Sequence, residues 1–273
     1  MVLGLHFKRL GGVIKNFILT LLTVFIFAAC SDVEFAVQDK VTKNGNPTNT
    51  CTPILPQYGK NLRVSFMVDS SGSTFSTDPN KYYRVKVLND FIATYGTKTN
   101  LNYSYGMFTT NFKYFNPDAN SFVVNGEVPF FNSSSLQSAL DVYKNLSLDR
   151  NGGTYYKRAF AGVKTNTLAD IGAVGSPKSY SVVFMSDGKP EDLDSTQEAA
   201  ALVEDLVMSV ANSGGAVRVS GVYFGPSSNN DAKNVMKAIA TAGHGQFIDT
   251  NVLPQNSIDI ADAISIPGEP CGE

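Results

Sequence analysis

Two spacings of hydrophobic residues alternate along the chain from Leu62 onward. Short runs that are almost wholly apolar recur, and each has the length of a β-strand. Such unbroken runs are typical of strands buried on both faces, so they predict a central sheet that is covered on both sides. The runs are Leu62–Val68, Tyr103–Thr109, Ser121–Val124, Tyr180–Met185, Val217–Phe224 and Gln246–Ile248.

The segments between these runs have the three- and four-residue apolar spacing of amphipathic helices. We predict helices that open at Asp78-Pro79, at Ser134 or Ser135, and after Thr154, and further helices over Ser195–Ser213, Asp231–Thr241 and Ser257–Ile264. Strands that alternate with helices predict an α/β fold. We expect a Rossmann-like, doubly wound and mostly parallel central sheet with helices on both faces, in a single domain over residues 61–273. Ligand sites in such folds lie at the carboxyl ends of the strands.

The first sixty residues follow a different pattern. An apolar run from Phe17 to Ala29 comes after three basic residues, and its length is short for a bilayer span but typical of a signal peptide core. The run ends at Cys30 in a sequence similar to a bacterial lipobox. We therefore expect a lipoprotein signal peptide over residues 1–29, with lipidation of Cys30. An ordinary secretory signal and an uncleaved membrane anchor are the alternatives. Residues 30–60 are polar and aperiodic, which predicts a flexible tether.

A lipid anchor of this kind predicts an exported protein held in the bacterial cell envelope. Ser31 follows Cys30, at the position where lipoproteins retained in the inner membrane carry Asp, so the outer membrane is favoured. Loss of residues 1–29 would remove three basic residues and no acidic one, and would change the net charge from −2 to −5. An acidic chain without a basic run argues against nucleic acid or anionic lipid as the main partner.

Two cysteines remain once Cys30 carries lipid. Cys51 precedes the predicted domain and Cys271 follows its last predicted helix. An exported protein meets an oxidising compartment, so we expect a disulfide bond between them that joins the ends of the domain. Two free thiols are the alternative.

Three polar segments follow or lie between the predicted strands. Each taken alone is typical of an ordinary turn. Together, in order and spacing, they resemble the metal-ion-dependent adhesion site (MIDAS) of von Willebrand factor A (vWA) domains, and the resemblance covers roughly residues 60–266. The three segments are Asp69-x-Ser71-x-Ser73, Gly152-Gly153-Thr154 and Ser186-Asp187-Gly188.

The resemblance implies a divalent metal site formed by Asp69, Ser71, Ser73, Thr154 and Asp187. In the family the two serines bind the metal directly, the threonine makes a contact that can switch, and the aspartates bind directly or through water. Hydroxyl oxygens are hard, neutral ligands that suit Mg²⁺ and leave the ion electrophilic toward a partner's carboxylate. We expect Mg²⁺, while Mn²⁺ and Ca²⁺ are accepted by the same ligands.

Residues next to these positions are expected to line a ligand-binding rim, because loops at this edge of the sheet carry binding. The expected rim residues are Thr74, Phe75, Tyr155, Lys189 and Glu191.

These features predict a monomeric cell-surface adhesin that binds a protein or glycan ligand through a carboxylate. A periplasmic scaffold or assembly factor that binds a neighbouring envelope protein through the same face is the alternative. A metal-dependent hydrolase is disfavoured, and we expect no catalytic residues. The only histidine after residue 29 is His244, which lies between two glycines as a turn residue would, and no motif of a zinc protease, serine hydrolase or phosphate-binding loop is present.

Ligand binding in the vWA family is coupled to movement of the C-terminal helix, which is predicted here over Ser257–Ile264. A bridge between Cys51 and Cys271 would limit that movement. We therefore expect a site of mostly fixed affinity.

Overall fold

A computed structural model describes residues 61–124, 128–174, 179–252 and 258–264. The expected signal peptide, the lipidated Cys30, the tether and both cysteines of the expected disulfide lie outside the described residues. Within the described ranges, no helix combines the length and the hydropathy that a membrane span requires.

The strands of the described residues form one seven-stranded sheet. They are β1 (Leu62–Asp69), β2 (Leu101–Phe108), β3 (Phe112–Asn116), β4 (Ser121–Val123), β5 (Ser179–Ser186), β6 (Ala216–Tyr223) and β7 (His244–Asp249). Their order across the sheet is β4-β3-β2-β1-β5-β6-β7. The five strands from β2 to β7 in this order are parallel, and β3 and β4 extend one edge in antiparallel fashion.

Helices cover both faces of this sheet. They are α1 (Thr74–Thr77), α2 (Val87–Tyr95), α3 (Ser133–Asn145), α4 (Tyr156–Val174), α5 (Thr196–Asn212), α6 (Asn230–Ala242) and α7 (Ala261–Ile264). Residues of α2, α3 and α7 pack into the hydrophobic core on one face, and residues of α4, α5 and α6 pack into the core on the other. The prediction of a single α/β domain with a doubly wound, mostly parallel sheet is therefore confirmed.

The position of β1 in the sheet explains why its sequence does not alternate between hydrophobic and polar residues. Val64, Phe66 and Val68 enter the core beneath α2 and α3, whereas Met67 enters the core on the opposite face. All four side chains are 0% exposed. Burial of an apolar side chain of this size contributes about 1.5–3 kcal/mol, so both faces of the strand select hydrophobic residues.

The clearest predicted helix is confirmed together with its two ends. Ser195 caps α5, because its side chain accepts a hydrogen bond from the main-chain N–H of Glu198 at 3.1 Å. Gly214 follows the helix with a φ of 81°, a left-handed conformation that glycine adopts without strain. These end signals act within a few residues, which is why they are visible in sequence.

The prediction that Asp78-Pro79 opens a helix was wrong. Lys81 has a left-handed φ of 53°, and a π-helical turn over Tyr82–Lys86 then leads into α2. The Asp78 carboxylate does accept a hydrogen bond from the main-chain N–H of Tyr82 at 2.5 Å, but Tyr82 belongs to the π-helical turn and not to α2.

Two smaller differences concern the cap of α3 and strand β3. The side chain of Asn132, and not Ser134 or Ser135, caps α3 by accepting a hydrogen bond from the N–H of Ser135. Strand β3 was not predicted, since it is a five-residue strand next to the edge of the sheet and lacks an unbroken apolar run. His244 is exposed and has a φ of 52° at the start of β7, as expected of a turn residue.

Candidate metal centre at the ends of β1 and β5

The sheet places two of the predicted site segments side by side. Strands β1 and β5 are parallel neighbours, and Val68 pairs with Met185 near their carboxyl ends. Asp69 ends β1, while Asp187 comes directly after β5. Neighbouring parallel strands end at the same edge of a sheet, so the two loops that follow them start next to each other.

The serine hydroxyls of the first loop meet the carboxylate of the second. Ser71 Oγ lies 3.1 Å from Ser73 Oγ, and Ser73 Oγ donates a hydrogen bond to Asp187 Oδ1 at 2.9 Å. The hydroxyl of Thr77, one turn further along α1, donates to Asp187 Oδ2. The structure thus brings together oxygen atoms from residues that are more than 100 positions apart in sequence.

Asp69 lies at the bottom of this group and is fully buried. Its Oδ1 accepts a hydrogen bond from the main-chain N–H of Ser71 at 2.8 Å, and its Oδ2 accepts one from Ser186 Oγ at 2.5 Å. Both carboxylate oxygens are therefore held in place, one by each loop.

Thr154 completes the group from the start of α4. A Cβ atom built on Gly188 would lie 3.6 Å from Ser73 Oγ and 3.6 Å from Thr154 Oγ1, so both hydroxyls face the same small space. The main chain of Thr154 is fixed by Glu191, whose N–H donates to Thr154 O at 2.8 Å. Tyr156 OH donates to Gly188 O at 3.0 Å and ties the same two loops together.

Two glycines allow the loops to approach this closely. The N–H of Gly72 donates to Gly152 O at 2.8 Å, and a Cβ on Gly72 would lie only 2.1 Å from Arg150 O. A Cβ on Gly225 would lie 2.0 Å from Asp187 O. Any larger residue at these positions would displace a loop that carries a site residue.

The two carboxylates share a poorly solvated environment. Burial raises the pKa of Asp69 to about 7, and the negative charge of Asp187 adds to the increase. Burial also raises the pKa of Asp187, although hydrogen bonds from Thr77 and Ser73 oppose the change. A cation between the two loops would favour the charged form of both groups.

The chemistry of these donors fits a hard divalent cation. Among the described residues there is no group of three or more His, Cys, Asp or Glu side chains that could hold a metal ion. At this edge of the sheet a cation would instead meet hydroxyl oxygens and two carboxylates. Oxygen ligands of this kind suit Mg²⁺, which keeps part of its water shell in proteins.

A buried arginine supports the first loop from below. Arg84 is 1% exposed, and it donates hydrogen bonds to Asp78 Oδ2 at 3.0 Å, to Thr74 Oγ1 at 2.9 Å and to Tyr143 OH at 3.0 Å. Tyr143 OH is in turn hydrogen-bonded to Ser70 Oγ at 2.7 Å. The arginine therefore connects the β1 loop to α3.

The expected rim residues differ in how far they are buried. Thr74 is fully buried, and its hydroxyl donates to Ser71 O at 2.7 Å, so it lies beneath the surface and supports the loop. Lys189 and Glu191 are exposed. The carboxylate of Glu191 also accepts a hydrogen bond from the N–H of Thr154 at 3.3 Å.

The two aromatic rim residues are each half-buried beneath an arginine. The guanidinium carbon of Arg150 lies 4.9 Å from the ring centroid of Phe75. That of Arg158 lies 5.4 Å from the ring centroid of Tyr155. Arg158 is further held by a hydrogen bond from its Nη1 to Asn111 Oδ1 at 2.9 Å.

Sequence reasoning did not assign roles to Ser186, Thr77 or Arg84. Ser186 precedes Asp187 at the end of a predicted strand, a position that could have drawn attention to it. Thr77 and Arg84 carry no comparable signal, because their contacts depend on how α1 and the π-helical turn fold back over the site.

Comparisons with known proteins found similar solved structures but no match in sequence. No known family and no curated protein matches the sequence. Three similar solved structures are proximal thread matrix protein 1 from the mussel byssus, a von Willebrand factor type A protein from Catenulispora acidiphila, and the manganese-loaded TRAP protein of Plasmodium vivax.

The similarity to these structures is low in sequence and moderate in shape. The mussel protein is 17% identical, with a TM-score of 0.46 over 74% of this chain and 46% of that chain. The Catenulispora protein is 16% identical, with a TM-score of 0.45 over 74% of this chain and 41% of that chain. The Plasmodium protein is 16% identical, with a TM-score of 0.48 over 71% of this chain and 70% of that chain. This chain therefore spans less than half the length of the first two.

Proposed function

We propose that this domain is a vWA-type binding module that holds a divalent cation between the β1 and β5 loops and binds a carboxylate of a protein or glycan partner. The observation that carries the proposal is the meeting of five oxygen-bearing side chains from three separate segments at one edge of the sheet. These side chains are Asp69, Ser71, Ser73, Thr154 and Asp187.

The environment of each residue suggests a distinct role. The hydroxyls of Ser71, Ser73 and Thr154 would hold the cation. Asp187 already receives two hydroxyl hydrogen bonds, so it orients Ser73 and supplies negative charge beside the site. Asp69 orients the loop from beneath and supplies a second buried charge. The bound cation would supply an electrophilic centre for the partner's carboxylate.

We propose that the module acts as an adhesin in the bacterial cell envelope, with the outer membrane favoured. The support is the lipobox-like sequence before Cys30 and the acidic composition of the remaining chain. Added protease on intact cells tests this placement. Cleavage of the domain is expected, and complete protection would instead favour a periplasmic scaffold.

A matched pair of serine variants tests the metal site. Ser73 and Ser76 are both exposed hydroxyl residues at the start of α1, but only Ser73 lies in the oxygen cluster. We expect Ser73→Ala to weaken Mg²⁺ or Mn²⁺ binding by at least about tenfold in calorimetry, whereas Ser76→Ala stays near wild type. Equal affinities of the two variants would contradict the proposed site.

The same pair tests adhesion. Residues 51–273 immobilised on beads should retain cells or envelope extracts in Mg²⁺, and EDTA or Ser73→Ala should remove that retention. Retention that is unaffected by EDTA and by the substitution would mean that the partner binds elsewhere.

A further inference from the structure

A groove with a volume of about 240 Å³ lies beside the candidate metal centre, between α1 and the loop that follows α3. Three basic residues line it, namely Lys81, Arg84 and Arg150, and none of its lining residues is acidic. Phe75, Leu146 and Leu148 contribute apolar surface. We call this feature the basic groove. A groove without acidic groups stands out in a chain whose net charge is −2.

The basic groove adjoins the first metal-site loop on two sides. Thr74 lines the groove, and its hydroxyl donates to Ser71 O at 2.7 Å. A Cβ atom built on Gly72 would lie 2.1 Å from the carbonyl oxygen of Arg150, so the two main chains run close together there. A partner whose carboxylate reaches the metal centre would therefore pass next to the groove.

Two of the three basic side chains already have internal partners. Arg84 donates to Asp78, Thr74 and Tyr143. The ammonium group of Lys81 donates to the main-chain carbonyls of Tyr143, Lys144 and Leu146 at 2.8, 2.8 and 3.0 Å. The charge of Arg84 is offset by the buried Asp78 carboxylate, so of these two residues only Lys81 adds net positive charge, and neither offers the groove a free donor.

Arg150 is different. Its side chain is exposed, and its guanidinium carbon lies over the ring of Phe75, 4.9 Å from the ring centroid. Among the residues that the structure describes, none accepts a hydrogen bond from this guanidinium. An exposed guanidinium without an acceptor keeps its N–H groups available, and their paired geometry matches the two oxygens of a carboxylate.

We propose that the basic groove binds a second acidic side chain of a peptide partner, and that Arg150 selects for it. This inference rests on the proposed function, since it assumes that a first carboxylate of the same partner binds at the metal. The apolar walls favour a peptide, because they can contact the methylene groups of a glutamate or a neighbouring aliphatic side chain. A second groove of about 180 Å³, lined by Lys189, Asp194 and Asp231 among others, has mixed charge and lacks this preference.

Two synthetic peptides with blocked ends test the proposal. One carries a single Glu among Gly and Ser residues, and the other carries two Glu separated by one Leu. Each is titrated into ¹⁵N-labelled protein in Mg²⁺, and the Kd is taken from chemical-shift changes. We expect the wild-type protein to prefer the two-Glu peptide by roughly three- to tenfold, the effect of one added charge-assisted contact at a surface.

Arg150→Gln should abolish that preference while leaving the affinity for the one-Glu peptide unchanged. Arg158→Gln is the matched control, because Arg158 is also exposed and has its guanidinium carbon over an aromatic rim residue but lies outside the basic groove. Thermal unfolding of both variants establishes that they are folded. An undiminished preference in Arg150→Gln, or an equal loss in both variants, would overturn the proposal.

EDTA separates this inference from the proposed function. Loss of all peptide binding in EDTA, with the preference in Mg²⁺ dependent on Arg150, supports both proposals. A preference that persists in EDTA would refute the metal-held carboxylate while leaving the groove intact. Tighter binding of a sulfated oligosaccharide at Arg150 than of the two-Glu peptide would overturn the assignment of a peptide partner.

Discussion

Replacing Arg84 by Met should destabilise the domain by about 3–5 kcal/mol, the usual result of removing one partner from a buried ion pair. The Nε atom of Arg84 lies 3.0 Å from Asp78 Oδ2, and each side chain is only 2% exposed. Burial raises the pKa of Asp78, and the positive charge of Arg84 opposes that increase. The substitution removes this opposition and leaves a buried carboxylate without its cation.

The loss of the Arg84 charge also determines how the stability of the variant depends on pH. Without Arg84, the pKa of Asp78 in the folded state should rise further above its value in the unfolded chain. The folded variant then binds a proton that the unfolded chain releases, so the variant loses stability as the pH rises through that folded pKa. We therefore expect the deficit of Arg84→Met to be smaller at pH 5 than at pH 8.

Urea denaturation measures the loss directly, and thermal unfolding should show a decrease in Tm of roughly 6–20 °C for a domain of this size. Lys86→Met is the control, because the pair between Lys86 and Asp90 is exposed on both sides and exposed pairs contribute little. The double variant Arg84→Met with Asp78→Asn should recover part of the stability. The reasoning is refuted if Arg84→Met costs no more than Lys86→Met, or if the double variant is no more stable than the single one.

Three further predictions concern the site and one helix end. Mg²⁺ at 100 times its Kd should stabilise the wild-type protein by about 2.7 kcal/mol, and the Asp187→Asn variant should lose most of that stabilisation. Equal stabilisation of the wild-type protein and the variant by Mg²⁺ in thermal unfolding would argue against the site. Gly225→Ala should cost about 1–3 kcal/mol and weaken metal binding in calorimetry, since its Cβ would collide with Asp187 O; unchanged affinity would mean that the loop adapts. Ser195→Ala should cost about 1 kcal/mol in urea denaturation by removing the cap of α5, and no change would show that the Glu198 N–H finds another acceptor.

Local signals along the sequence determined the elements that are long or well capped. The unbroken apolar run of β1 predicts a strand buried on both faces, and it lies at the centre of the sheet. Ser195 and Gly214 mark the ends of α5. These features depend on interactions within one turn or one strand, so they can be identified without knowing the fold. The start of α2 could not, because Asp78 bonds to Tyr82 and Arg84, which lie in the π-helical turn before that helix.

The residues of the candidate metal centre could be identified in part for a related reason. Asp69 and Asp187 each follow a predicted strand, and the strands of a parallel sheet end at a common edge. The spacing of Ser71 and Ser73 after the first of these strands adds two hydroxyls to the same edge. This topological rule pointed to the segments that follow the two strands, whereas the metal-binding roles of the serines and of Thr154 came from the resemblance to the metal-ion-dependent adhesion site.

Only the tertiary structure decided how the centre is supported and what lies beside it. Ser186 reaches Asp69 across 117 residues, and Arg84 reaches Tyr143 across 59. The basic groove forms only where α1 meets the loop after α3, with the guanidinium of Arg150 over the ring of Phe75. Contacts of this kind depend on the relative placement of elements that are far apart in the chain, and no local spacing of hydrophobic or polar residues encodes that placement.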